Sequence, residues 1–128
     1  MIAAAGIALS GALAQSTRVE AAASNLANQQ SRGALSGQPA AYQALTADTV
    51  AQTGGGTRAL VRPLTPAGLP AYDPSSVLAD ARGLVAAPAV DPTRDLLTMT
   101  TALTAYKANL SVIKTSDEMT RTVLKMTA

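Results

Sequence analysis

In DPTRDLLTMTTALTAYKANLSVI, residues 91–113, the large apolar side chains Leu96, Met99, Leu103, Tyr106, Leu110 and Ile113 recur at alternating steps of three and four. That spacing is one face of an α-helix, and it predicts a helix over residues 92–128. The start is well marked. Asp91 suits the N-cap, Pro92 the first helical position, and Asp95 places a carboxylate in the first turn, where the helix dipole favours it. After Ile113 the stripe drifts toward Met119, Val123 and Met126, so the last turns face a different partner from the first. Lys114, Arg121 and Lys125 sit toward the C-terminal half, as the dipole prefers. Asp117 or Glu118 can pair with Arg121 on the surface.

The other end of the chain carries the same signal. Ile2, Ala5, Leu9, Ala12, Ser16, Val19, Ala23 and Leu26 also step by three and four, predicting a helix over residues 1–29. Ala5, Ala12 and Ala23 would let a partner helix come close. Asn, Gln, Ser and Gly cluster at 28–33 and end the pattern. Ala12-Leu13-Ala14 mimics a signal-peptidase site, but no charge precedes Arg18, so the positively charged n-region is missing. The apolar stretch also falls short of the ~20 residues that a membrane span needs.

Residues 30–91 hold six of the seven prolines and seven of the nine glycines. The region reads as irregular, with room for one short β-hairpin built from Tyr42–Val50 and Arg58–Arg62. Gly54-Gly55-Gly56 is a flexible hairpin tip or a linker. No Lys-Ser or Lys-Thr follows these glycines, which excludes a phosphate loop. Pro63, Pro66, Pro70, Pro74, Pro88 and Pro92 argue against regular structure in the second half. The expected fold is therefore mainly α: long N- and C-terminal helices pairing as a coiled coil around an irregular Pro/Gly-rich middle, one domain overall.

Composition removes several classes of function. The chain has 128 residues, no Cys, no His, no Trp and no Phe. Disulfides, thiol chemistry and Ser-His catalysis are excluded. Asp73, Asp80 and Asp91 lack a metal-ligand spacing, and no cofactor motif is present, so no enzyme, metal or cofactor is expected. Ten Lys and Arg face eight Asp and Glu, scattered without aromatic interleaving, which argues against nucleic-acid binding. Asn109 lies inside an apolar helix, one position before Leu110. It is either an exposed amide or a polar residue that sets helix register. Ser24, Asn25 and Asn28 pose the same choice near the end of the first helix.

These stretches resemble a known family. Ala23-Ser24-Asn25-Leu26-Ala27-Asn28 is similar to the A-S-N-[IL]-A-N motif near the N-terminus of flagellar axial proteins. Tyr72-Asp73-Pro74 with Leu78-Ala79-Asp80-Ala81-Arg82-Gly83 and Pro88 resembles the central region of the proximal rod proteins of the bacterial flagellar basal body. Ala105-Tyr106-Lys107-Ala108-Asn109-Leu110, followed by Ile113-Lys114-Thr115-Ser116-Asp117-Glu118-Met119, resembles that family's last helix. The motifs appear in the family's order, although Leu84 replaces an aromatic and Pro88-Ala89-Val90 replaces Pro-Asn-Val.

The resemblance implies a structural subunit. Its terminal helices would pair, and the pairs would polymerise with copies of the chain and other rod proteins into a hollow periplasmic shaft. The subunit would leave through the flagellar type III export apparatus without cleavage. On this reading Ile2, Leu9, Val19 and Leu26 pack against Leu96, Leu103, Tyr106, Leu110 and Ile113, and Ser24, Asn25, Asn28 and Asn109 fix the register. The alternative is a soluble helical adaptor or export chaperone for flagellar axial proteins.

Overall fold

The computed structural model describes residues 2–127. Helix α1 (Ile2–Ala27) and helix α2 (Pro92–Thr127) enclose four strands in the chain: β1 (Leu45–Ala51), β2 (Thr57–Pro63), β3 (Gly68–Tyr72) and β4 (Leu84–Pro88). β1 and β2 form one antiparallel hairpin, and β3 and β4 form a second two-stranded antiparallel sheet. The helices pack on each other, and the first hairpin packs on α1. The pairing is antiparallel: Asn25, near the end of α1, meets Asp95 in the first turn of α2, while Gly11 lies under Asn109.

The start of α2 follows its sequence signals. The Asp91 carboxylate accepts the backbone N–H groups of Thr93 and Arg94, both at 3.1 Å, and the Asp91 carbonyl accepts Asp95 N–H at 2.9 Å. Two of the helix's orphan donors are thereby satisfied. α1 ends at Ala27, where Asn28 folds back: its backbone N–H and its side-chain amide both donate to the Ser24 carbonyl.

The core is small-residue. Among the described residues, Ala8, Ala12, Ala14, Ala21 and Ala22 of α1, Ala44, Val85, Ala86, Pro88 and Ala102 are the buried apolar side chains. Alanine removes little apolar area from water, so these contacts stabilise through close approach and dispersion rather than through large buried side chains. On α2 the inward face runs Asp95, Met99, Ala102, Tyr106, Asn109, Ile113 and Ser116, all buried or half-buried.

The expected seam differs accordingly. Leu9, Leu96, Leu103 and Leu110 keep about half of their surface open, at 53%, 50%, 42% and 43% exposed. Val19, Leu26, Tyr106 and Ile113 are half-buried, and the side chain of Ile2 lies outside those described. The physical reason is competition for one interface. Backbones can approach closely only through Ala, Gly and small polar residues, and the chain carries that stripe beside its leucine stripe.

The second sheet also departs from expectation, since prolines there argued against regular structure. Ala86 exchanges both of its backbone hydrogen bonds with Gly33, at 2.9 and 2.8 Å. It is therefore a non-hydrogen-bonded partner to Pro70 across the β3–β4 ladder. Pro70 points its missing N–H away from the pairing, on the outer edge strand, where proline is tolerated. Pro88 stands at the end of its strand. The first hairpin does form, despite Ala47 and Asp48, but its strands run Leu45–Ala51 and Thr57–Pro63, so Tyr42 and Ala44 precede the ladder instead of opening it.

Candidate assembly surface

Asn25 is the best-connected polar side chain near the helix joint. It is 2% exposed and fully bonded. Its Nδ2 donates to the Leu45 carbonyl at 2.8 Å and to Asp95 Oδ1 at 3.2 Å. Its Oδ1 accepts Leu45 N–H at 2.7 Å and the Tyr42 hydroxyl at 3.1 Å. The amide thus treats Leu45 as a neighbouring strand would, donating to one backbone group and accepting from the other. Opposite Leu45 in the hairpin stands Pro63, which has no N–H to offer. One side chain of α1 therefore fixes the start of β1, the ring of Tyr42 and the first turn of α2.

Its neighbours extend the joint. Ser24 Oγ and the Tyr42 hydroxyl are 2.9 Å apart. A polar cleft of about 160 Å³ opens beside Asn25, bordered by Arg18, Asp48, Asp91, Arg94 and Asp95. Burial pushes the Asp95 carboxyl above the ordinary carboxylate range; the Asn25 amide pulls the other way, Asp91 reinforces the rise and Arg94 opposes it.

The hairpin is also held at its tip. The Ser10 hydroxyl donates to the Ile7 carbonyl at 2.7 Å and accepts Thr57 N–H at 3.1 Å. Gly56 has φ of +88°, and a β-carbon there would collide with Ser10 Oγ. The three-glycine turn expected at 54–56 thus also docks the hairpin on α1.

The Tyr72–Gly83 motif closes the connection between β3 and β4. Asp80 accepts Arg82 N–H at 2.8 Å and Leu84 N–H at 2.9 Å through one carboxylate oxygen. The Leu84 bond is the main reason its carboxyl lies below the ordinary range, with bonds and charge from Arg82 adding to it and desolvation opposing. Asp73 N–H donates to the Gly83 carbonyl at 2.9 Å, and the Asp73 carboxylate pairs with Arg32 at 2.6 Å. Gly83 has φ of +75°, with Tyr72 and Pro74 packed where a side chain would stand.

Two surfaces among the described residues remain apolar. One is the leucine ridge of Leu96, Leu103 and Leu110 along α2, with Ile7, Leu9 and Leu13 exposed on α1. The other is an open trough bordered by Ala4, Ala108, Val112, Thr115 and Met119. Beyond the trough, α2 continues past the start of α1, because the helices are 36 and 26 residues long. Met119, Val123, Leu124 and Met126 are all exposed on that extension. Single exposed leucines are ordinary, but three at heptad spacing along one helix mark a surface for contact. Asp117–Arg121 and Lys114–Glu118 form ion pairs on the same stretch. Among the described residues no helix is long and apolar enough to cross a membrane.

Of the residues singled out in the sequence, Ser24, Asn25 and Asn28 come together at one end of α1. Asn109 lies two heptads away, its amide bonded to the Ala105 carbonyl at 2.9 Å. Ser10, Gly11, Gly33 and the hydroxyl of Tyr42 carry no sequence signal of their contacts. Their partners are distant in the chain, and no local pattern marks them.

Terminal helices that pack on each other, around two small antiparallel sheets, carry the three motifs of flagellar basal-body rod proteins. Residues 81–126 match the C-terminal family of flagellar basal body rod FlgEFG proteins. The chain is 36% identical over 118 residues to the flagellar basal-body rod protein FlgC of Salmonella typhimurium and to that of Escherichia coli O6:H1, covering 88% of this chain and 87% of each relative. The same identity holds over 120 residues with FlgC of Yersinia enterocolitica, covering 90% of this chain and 87% of the relative. The chain belongs to the FlgC family of flagellar basal-body rod proteins.

Proposed function

We propose that this rod subunit polymerises through its outward leucines, seating Leu96, Leu103 and Leu110, together with Leu9, on neighbouring subunits of a hollow periplasmic shaft. The exposure of that ridge beside a helix pair closed by alanine carries the reading. About half of each leucine remains to be buried, which at ~25 cal/mol per Å² contributes about 1 kcal/mol per side chain. That is too little for one contact to hold two subunits against the cost of association. Repetition along a polymer multiplies it. A ridge that seats on a different surface of the next copy makes a heterologous contact, which extends into a helix instead of closing on itself as a symmetric dimer does.

In this reading the terminal helices behave as a coiled-coil unit, Ser24, Asn25, Asn28 and Asn109 set its register, and the flagellar export apparatus delivers the chain without cleavage. Replacing Leu103 with Asp tests it. Leu103 is exposed, so the purified variant should melt within about 1 kcal/mol of the parent, as surface substitutions do. Basal bodies purified from cells carrying only that variant should lack the subunit, and the cells should not swim. Normal incorporation and swimming would remove the ridge from the interface.

A further inference from the structure

We infer that Gly11 and Asn109 form a matched pair that selects the antiparallel register of α1 against α2, with Gly11 serving as the seat for the Asn109 amide. The inference rests on the register role proposed above for Asn109 and adds the partner that makes it specific. A β-carbon at residue 11 would stand 2.8 Å from Asn109 Oδ1 and 3.0 Å from both Cγ and Nδ2. All three atoms of the amide group therefore lie over the glycine, in the space a methyl group would need. The amide is held there from its own helix by the bond to the Ala105 carbonyl. Gly6, the other glycine of α1, has open space where a β-carbon would stand and plays no such part.

The second contact that defines the register is Asn25 with Asp95. It lies two heptads from the first on both helices, 11 to 25 on α1 and 95 to 109 on α2. A slip of one heptad keeps the apolar stripes in phase, so periodicity alone does not reject it. The two pairs do. In one slipped arrangement Asn109 faces Arg18; in the other it faces Ala4, whose methyl fills the seat. Asn25 then faces Ala102 or runs beyond the start of α2, and its buried Nδ2 loses the Asp95 acceptor. The Leu45 carbonyl still accepts one amide hydrogen, but the second is left without an acceptor in a buried position, and that cost is how a single polar residue in a helix pair rejects alternative registers. Gly11 is thus a positioning residue: it leaves open the space that the Asn109 amide fills.

A double-mutant cycle on the purified full-length chain tests the pairing. The four proteins are the parent, Gly11→Ala, Asn109→Ala and the double variant. Alanine is the better helix former, so Gly11→Ala raises the melting temperature wherever the seat is not needed. The expected result is a lower melting temperature from Gly11→Ala when Asn109 is present and a higher one when residue 109 is Ala. An equal shift in both backgrounds overturns the proposal. The chain has no Cys, so thiols introduced by Ala4→Cys and Thr115→Cys, both exposed and bordering one trough, report register through a short bismaleimide. Their cross-linking yield should fall in Gly11→Ala and recover in the double variant; an unchanged yield also overturns it. Neither readout involves assembly, so failure here leaves the rod reading standing, and failure of the Leu103→Asp test leaves this pairing standing.

Discussion

Replacing Asn25 with Ala should be among the most damaging single changes near the helix joint. The side chain makes four hydrogen bonds from a position 2% exposed. Truncation leaves both backbone groups of Leu45 without a protein partner. A buried group left unsatisfied costs about 1–3 kcal/mol, and Leu45 is half-buried, so water recovers part of that. Taking about 1 kcal/mol for each, with about 1 kcal/mol more for the lost bonds to Tyr42 and Asp95, gives about 3 kcal/mol. For a domain of this size that lowers the melting temperature by roughly 10 °C, at about 3–5 °C per kcal/mol. Circular dichroism at 222 nm measures the melt, and hydrogen exchange at the Leu45 amide should show protection lost there first. Asn25→Leu separates bonding from packing, because leucine fills the volume but leaves the same groups unpaired. Recovery of parental stability in Asn25→Leu would refute the bonding argument, as would a shift under about 2 °C in Asn25→Ala.

The remaining predictions concern single contacts. Asp91→Ala removes the N-cap of α2 and should cost about 1 kcal/mol, read as a lower denaturant midpoint at constant slope. Gly33→Ala would place a methyl on the backbone of Ala40 and Ala41. It should cost about 3 kcal/mol or more and disturb the bridge to Ala86, visible as faster amide exchange at residues 33 and 86. Asp95 is raised in the folded chain, so the stability it contributes is full below the unfolded carboxylate value of about 3.8 and is lost as pH rises through its folded value. Asp95→Asn should therefore gain on the parent across that window and match its slope elsewhere, in melts taken from pH 3 to 7. Asp80 has the opposite sign: its contribution is present above the unfolded value and is lost as pH falls through its lowered one. Asp80→Asn should accordingly lose most, relative to the parent, at neutral pH.

Much of the architecture was legible in sequence, for local reasons. A helix announces itself through a repeat near 3.6 and through caps that lie within four residues, as Asp91-Pro92 with Asp95 does. The first hairpin was legible because three glycines separate two extended runs. The second sheet was not. It depends on Ala86 turning its hydrogen bonds toward Gly33, more than fifty residues away, so that Pro70 loses nothing. Asn25 could be singled out by its position and by resemblance, but its partners Tyr42, Leu45 and Asp95 are joined to it only by the folded chain.

The leucines mark the boundary most clearly. The sequence by itself determined that both termini are helical, that each carries an apolar stripe, and that no nucleophile–histidine or thiol chemistry is available. It also carried the motifs that place the chain among flagellar rod proteins. Only the tertiary structure decided which stripe closes the subunit. Periodicity reports that a face is apolar, and it is silent on whether that face is covered from within the chain or by another molecule. Gly11 lies under Asn109, and Ala12, Ala22 and Ala102 are buried, because small residues permit the closest backbone approach. That choice turns Leu96, Leu103 and Leu110 outward.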